Sequence, residues 1–97
     1  MKKEFYVYIL ASKKNGTLYV GVTSDLIKRV WQHKNSIVES FTKKYLVHQL
    51  VYFEQHISIE SAINREKRIK DWNRSWKIDL ISKFNPDWLD LYDNILD

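Results

Sequence analysis

Asn15-Gly16 sits between two runs of aromatic and β-branched residues, and that arrangement restricts the fold more than any other feature of the chain. Phe5-Tyr6-Val7-Tyr8-Ile9-Leu10 reads as one strand and Thr17-Leu18-Tyr19-Val20-Gly21-Val22 as its return. Asn-Gly is the preferred pair for a tight hairpin because both positions accept positive φ. With these two as the turn, Tyr8 is expected opposite Thr23, Leu10 opposite Gly21 and Ser12 opposite Tyr19. Opposed residues share a sheet face, so Tyr8, Tyr19 and Gly21 are expected on one side.

The chain then changes period. Thr23-Ser24-Asp25 supplies a helix start, and Leu26, Ile27, Val30 and Trp31 follow at helical spacing, with Lys28, Arg29, His33 and Lys34 on the same short helix. Residues 35–45 are polar and read as a loop. Leu46 to Phe53 reads as a third strand. Ser58 caps a second helix over 59–72, whose apolar stripe runs Ile59, Ala62, Ile63 and Ile69 with Glu66 in register. A further helix carries Trp76, Leu80, Ile81 and Phe84. Asn85-Pro86 then reads as a cap with proline at the first position of a last helix bearing Trp88, Leu91, Tyr92 and Ile95. The order ββαβα plus a C-terminal helix predicts an α+β fold, a small sheet flanked by helices, in one domain spanning 1–97.

Composition limits the chemistry. Ninety-seven residues hold one domain, and 44% hydrophobic content suffices for a core. The absence of cysteine removes disulfides, thiolate metal sites and a cysteine nucleophile. Two isolated glycines cannot form a phosphate loop. There is no signal-peptide pattern at Met1–Tyr6 and no apolar run long enough to span a membrane, so the expected location is cytoplasmic. Residues 87–97 carry Asp87, Asp90, Asp93 and Asp97 without Lys or Arg, which leaves a net +8 on residues 1–86. A basic body suits a polyanion such as nucleic acid; a solvated lysine-rich surface is the alternative.

His33, His48 and His56 are spread over a helix, a strand and a loop, a poor metal pattern. What remains is a tyrosine pair on one hairpin face, a glycine beside the second tyrosine, an arginine on the next helix and an inward glutamate. Arginine grips phosphate through two donors, a carboxylate can hold Mg²⁺ with waters completing the shell, and a tyrosine beside cations gives up its proton more readily. Those groups fit phosphodiester hydrolysis. Each has a structural alternative: the tyrosines pack the strands, and Glu66 pairs with an arginine or lysine.

The residues also resemble a known family. Tyr6-Val7-Tyr8, Tyr19-Val20-Gly21, Asp25-Leu26-Ile27-Lys28-Arg29 and Arg65-Glu66, in this order, are similar to the GIY-YIG endonuclease superfamily. The likeness is greatest to small stand-alone bacterial members related to the amino-terminal nuclease domain of the excision-repair protein UvrC. Phe41-Thr42-Lys43-Lys44-Tyr45, Leu50-Val51-Tyr52, Glu66–Trp72 and Asn85-Pro86-Asp87-Trp88 share it, and Tyr6 stands where the name motif has its first glycine.

The resemblance implies a three-stranded antiparallel sheet and metal-dependent DNA cleavage in repair or recombination. By the same likeness Tyr8 and Tyr19 would position or deprotonate the attacking water, Arg29 would stabilise the phosphate, and Glu66 would hold one Mg²⁺ or Mn²⁺. Gly21 would leave room beside Tyr19. Lys28, His33 and Lys43 would assist with phosphate or protons, and Asn85 would either reach the site or cap a helix. Nucleases of the family usually carry a separate DNA-binding domain; 97 residues leave no room for one, so targeting is expected from a protein partner. Two rival readings are a nucleic-acid-binding module with an idle site and a protein-interaction domain using the acidic, tryptophan-bearing C-terminal segment.

Overall fold

The computed structural model describes residues 4–35 and 40–96. Three strands, β1 (Phe5–Ala11), β2 (Leu18–Thr23) and β3 (Gln49–His56), form an antiparallel sheet in the order β2-β1-β3. Helix α1 (Leu26–Lys34) and the short α2 (Ser40–Tyr45) lie between β2 and β3, while α3 (Ile59–Asp71), α4 (Arg74–Phe84) and α5 (Tyr92–Ile95) follow β3. The α+β sheet-and-helix architecture is the expected one. The stretch 35–45 is not all loop, because its second half turns into α2; residues 36–39 lie outside the described residues.

The hairpin corrects the expected register. Ser12 N donates to Thr17 O at 3.0 Å and Gly16 N to Lys13 O at 2.9 Å, so the loop is the four residues 13–16. Ser12 Oγ also accepts from Thr17 N at 2.9 Å, which favours closing one pair further out. Within this loop Asn15 alone adopts positive φ (59°). Tyr8 therefore faces Gly21 and Leu10 faces Tyr19, two residues away from the expected pairing. Because side chains alternate with period two, a two-residue slip preserves faces, and Tyr8, Tyr19 and Gly21 do share one.

The two faces bury different elements. Val7, Ile9 and Ala11 pack with Val20, Val51, Ala62, Ile69 and Ile81, which puts α3 and α4 on one side. Tyr8 and Leu10 pack with Leu26, Val30, Val47 and Leu50, which puts α1 on the other. Asp25 caps α1 by accepting from Lys28 N, and Ser58 caps α3 by accepting from Ser61 N.

The C-terminal segment departs most from expectation. Asn85 ends α4 instead of starting a helix: its amide donates to Val51 O and Leu89 O at 3.2 and 2.8 Å, and its Oδ1 accepts from Leu89 N at 3.1 Å. Trp88, at φ 52°, lies in the turn that follows and is buried, donating Nε1–H to Ser82 Oγ at 3.0 Å. Beyond it, among the described residues, Tyr92–Ile95 alone is helical. The pairing of β1 with β3 shifts between Ile9 and Leu10, and just there the tail joins the sheet: Leu91 N donates to Leu50 O at 2.8 Å, and Leu50 N to Asp90 Oδ1 at 3.2 Å. The acidic, tryptophan-bearing segment is thus folded onto the body.

Candidate active site

Strand β1 delivers Tyr8, β2 delivers Tyr19, and α1 delivers Arg29 and His33 one turn apart on its inner side, an i,i+4 pair. The four form one contact group. Tyr8 Oη lies 3.0 Å from His33 Nε2, and Arg29 Nε donates to Tyr8 Oη at 3.4 Å. The Tyr19 ring centroid lies 6.3 Å from that of Tyr8 and 5.2 Å from that of His33. Tyr8 and His33 are fully buried, whereas Tyr19 and Arg29 are partly open to solvent.

Gly21 makes this arrangement possible. A Cβ there would lie 2.5 Å from Tyr8 Cζ and Oη. The expected space beside Tyr19 is therefore filled by the Tyr8 ring from the neighbouring strand.

Burial, with the nearby Arg29 charge and His48, lowers the His33 pKa from 6.5 to about 4, so the ring is neutral near pH 7. A neutral ring can accept the Tyr8 hydroxyl proton at Nε2, which leaves the Tyr8 oxygen to accept from Arg29. Arg29 is held above its ordinary pKa, first by its hydrogen bond to Tyr8 and further by Tyr19. No Asp or Glu among the described residues forms an ion pair with Arg29.

His48, set aside on sequence grounds, lies close enough to His33 to influence its charge. Its Nε2 is buried and has no hydrogen-bond partner among the described residues. His56 stands elsewhere, bonded to Glu54 and Ser61. The signal for His33 was its i,i+4 spacing from Arg29; for His48 it was adjacency to the start of β3, where the sheet meets β1 near Ala11.

Glu66 belongs to a different layer. It projects from α3, among Ala62 and Ile69, on the sheet face opposite the tyrosines, and it pairs with Lys70 at 2.5 Å. The salt-bridge alternative thus describes its surroundings. Helix α3 lies against β1 and the edge strand β2. Lys28 and Lys43 are exposed on α1 and α2.

No cluster of three or more His, Asp or Glu among the described residues is arranged to hold a metal. Mg²⁺ is commonly bound through one or two carboxylates, with water and substrate phosphate completing six positions. Glu66 fits such a one-carboxylate role and not an all-protein cage.

The three-stranded antiparallel sheet flanked by helices, with two tyrosines on one face of adjacent strands, is the architecture of a GIY-YIG-type domain. The GIY-YIG catalytic domain profile matches residues 4–79, and the chain belongs to this nuclease family. Within it, the chain is similar to a UPF0213 protein of Staphylococcus saprophyticus, 38% identical over 78 residues that cover 80% of this chain and 94% of the relative. A UPF0213 protein of Clostridium perfringens is 40% identical over 77 residues, 79% and 82% of the two chains. The solution NMR structure of a UPF0213 protein from Bacillus halodurans superposes with a TM-score of 0.52 at 31% identity, over 82% of this chain and 84% of that one. No helix among the described residues is long and apolar enough to cross a membrane.

Proposed function

We propose that this chain hydrolyses phosphodiester bonds of DNA as a metal-dependent endonuclease, a reading carried by Arg29, a cation held by two tyrosines with no ion-paired carboxylate among the described residues. Such an arginine is ready for an anion from outside, and phosphate matches its fork of donors. Tyr8 is fully buried and so cannot meet bulk water or substrate; it orients Arg29 and hands its proton toward His33. Tyr19 is the partly open tyrosine, and that exposure supports giving it the role of orienting or deprotonating the attacking water. Glu66 would hold Mg²⁺ or Mn²⁺, in exchange for its ion pair with Lys70. When bound, that ion supplies positive charge for the non-bridging phosphate oxygens. Lys28 and Lys43 add exposed cations for neighbouring phosphates. A setting in repair or recombination, and a protein partner for targeting, follow from the family likeness alone.

The test is nicking of supercoiled plasmid by purified protein with Mg²⁺, with Mn²⁺ and with EDTA, beside Tyr19→Phe and Glu66→Gln. Metal-dependent nicking lost in both variants, with circular dichroism unchanged, supports the reading; undiminished nicking in both sinks it. The Lys70–Glu66 ion pair favours one rival, a DNA-binding module whose site is idle. That rival predicts salt-sensitive DNA binding and no metal-dependent nicking by the wild type.

A further inference from the structure

Beside the tyrosine cluster the same sheet face carries a cavity of about 540 Å³, at the outer end of β1. Tyr6, Leu26, Phe53 and Ile95 form its apolar floor, and Glu4 and Asp25 stand at its rim. The volume lies within the usual range of ligand sites, roughly 300–1,000 Å³. Among the described residues none of its lining is a lysine or arginine, although residues 1–86 carry a net +8. The two carboxylates are held by local bonds: Glu4 Oε2 accepts from Tyr6 Oη at 2.7 Å, and Asp25 Oδ1 accepts from Lys28 N at 3.2 Å. Each bond engages one carboxylate oxygen.

The chemistry of this lining selects its occupant. An apolar floor favours an aromatic or branched side chain, and two fixed carboxylates with an aromatic ring between strand and helix favour flanking cations. We infer that the cavity is a docking site for a basic segment of a partner protein, anchored by one large apolar side chain and flanked by lysine or arginine. Its position has a consequence. Tyr6 lies two residues from Tyr8 on the same face, about 7 Å along the strand, and Asp25 lies one helical turn before Arg29, whose N–H donates to Asp25 O at 3.0 Å. A docked basic segment would extend the positive field around Arg29. The docking itself does not depend on cleavage.

The test is a titration of the full chain with the pentapeptide Lys-Arg-Trp-Lys-Arg, blocked at both ends, followed by amide NMR shifts. Saturable shifts confined to the cavity residues are expected. Replacing the peptide tryptophan with alanine, or the four cations with glutamate, should abolish them. In Glu4→Gln/Asp25→Asn the affinity should fall at least tenfold; asparagine keeps the helix cap, and Glu4→Gln alone, at an exposed position, should show a smaller loss in the same direction. Unchanged affinity in these variants overturns the proposal, as do shifts that map to Asp87 and Asp93 or equal binding by the alanine peptide. Binding that emerges only after removal of residues 1–3 also overturns it, because the chain's own amino terminus would then be the occupant.

Discussion

Tyr8 and Tyr52 sit on adjacent strands, both are buried, and each stands in a group with an arginine and a histidine, yet the two groups are built to opposite ends. Around Tyr52, on the α3 face, Glu54 closes the charge. It accepts from Tyr52 Oη and His56 Nε2 at 2.5 Å and from Arg65 Nε at 3.1 and 3.2 Å. Burial pushes Glu54 upward, but the bonds from Tyr52 and His56 and the charge of Arg65 outweigh it and leave the carboxylate below its ordinary range. Tyr52 is pushed up to about 12, by burial first and by Glu54 next. Around Tyr8, on the α1 face, the arginine and the neutral histidine have no such carboxylate among the described residues. A cluster whose charges close internally ties β3 to α3. A cluster whose cation meets no carboxylate among the described residues leaves that charge open to an anion from outside. The difference between them is one glutamate, and it separates a structural network from a candidate catalytic one.

The largest effect should come from exchanging these roles by substitution. Arg29→Ala is expected to lower DNA nicking by roughly 10²–10³-fold, the scale seen when one charge-stabilising donor is removed from an active site. It should change stability by less than about 1 kcal/mol, because its bond to Tyr8 is long at 3.4 Å. Glu54→Gln should do the reverse. It strands Arg65 beside Tyr52 and is expected to cost about 2 kcal/mol, below the full penalty for a buried pair because the Glu54 side chain remains 20% exposed. Specific activity of its folded fraction should stay at the wild-type level. Paired urea denaturation and nicking assays read both quantities, and a matched loss of stability and activity in both variants would erase the distinction.

The next effect is carried by His33. Its pKa in the fold is about 4 against 6.5 for the free group, so between those values the unfolded chain binds more protons than the native one. The His33 contribution is therefore fully present above pH 6.5 and declines as the pH falls to 4, by roughly 3–3.5 kcal/mol. His33→Phe should flatten this part of the stability profile. An unchanged slope between pH 6.5 and 4 would mean that another group carries it and that the Tyr8 cluster is not built around a neutral imidazole.

Much of this was legible in the sequence because the information is local. Asn15-Gly16 between two β-rich runs specifies a hairpin, and period two protects face assignments even when the loop is four residues and not two. The Arg29–His33 spacing likewise puts both on one helix side. What could not be read depends on contacts between distant segments. Asn85 followed by proline carries the pattern of a helix start, yet its side chain is recruited to Val51 and Leu89, and the pattern is overruled. The layer occupied by Glu66 follows from which sheet face α3 covers, and no spacing within α3 encodes that. Gly21 shows the boundary: its sequence position beside Tyr19 is plain, but the residue that needs the space is Tyr8, thirteen positions earlier.

That close approach gives a smaller and sharper test. Gly21→Ala puts a methyl into the Tyr8 ring, which is fixed between Gly21, Arg29 and His33 and cannot withdraw freely. Overpacking of this kind is expected to cost about 1–3 kcal/mol and to lower nicking, because displacing Tyr8 releases Arg29. Adding Tyr8→Phe removes the hydroxyl, one of the two closest atoms, and should recover part of the stability but none of the activity. Recovery of both would show that Tyr8 only fills space, as Ile9 does on the opposite face.

The smallest effect distinguishes how the two faces are covered. On the α3 face Trp88 and Ile81 seal the sheet by apolar packing. On the α1 face Leu91, Tyr92 and Ile95 also pack on the sheet, but polar contacts anchor the tail as well, the ion pair of Lys34 with Asp90 and the bonds that Asp90 Oδ1 accepts from Leu50 N and Tyr92 N at 3.2 and 3.1 Å. Lys34→Ala removes a partly exposed pair and the contact of its ammonium with the Tyr92 ring, 5.2 Å to the centroid, and should cost about 1 kcal/mol, less at high salt. Asp90→Ala also leaves the Leu50 amide without its acceptor at the point where the β1–β3 pairing shifts, and should cost about 1–3 kcal/mol. Hydrogen exchange at Leu50 and Leu91 would then accelerate in Asp90→Ala and stay slow in Lys34→Ala. Equal acceleration in both would mean that the ion pair, and not the carboxylate-to-backbone bonding, holds the tail over the face that carries Tyr8.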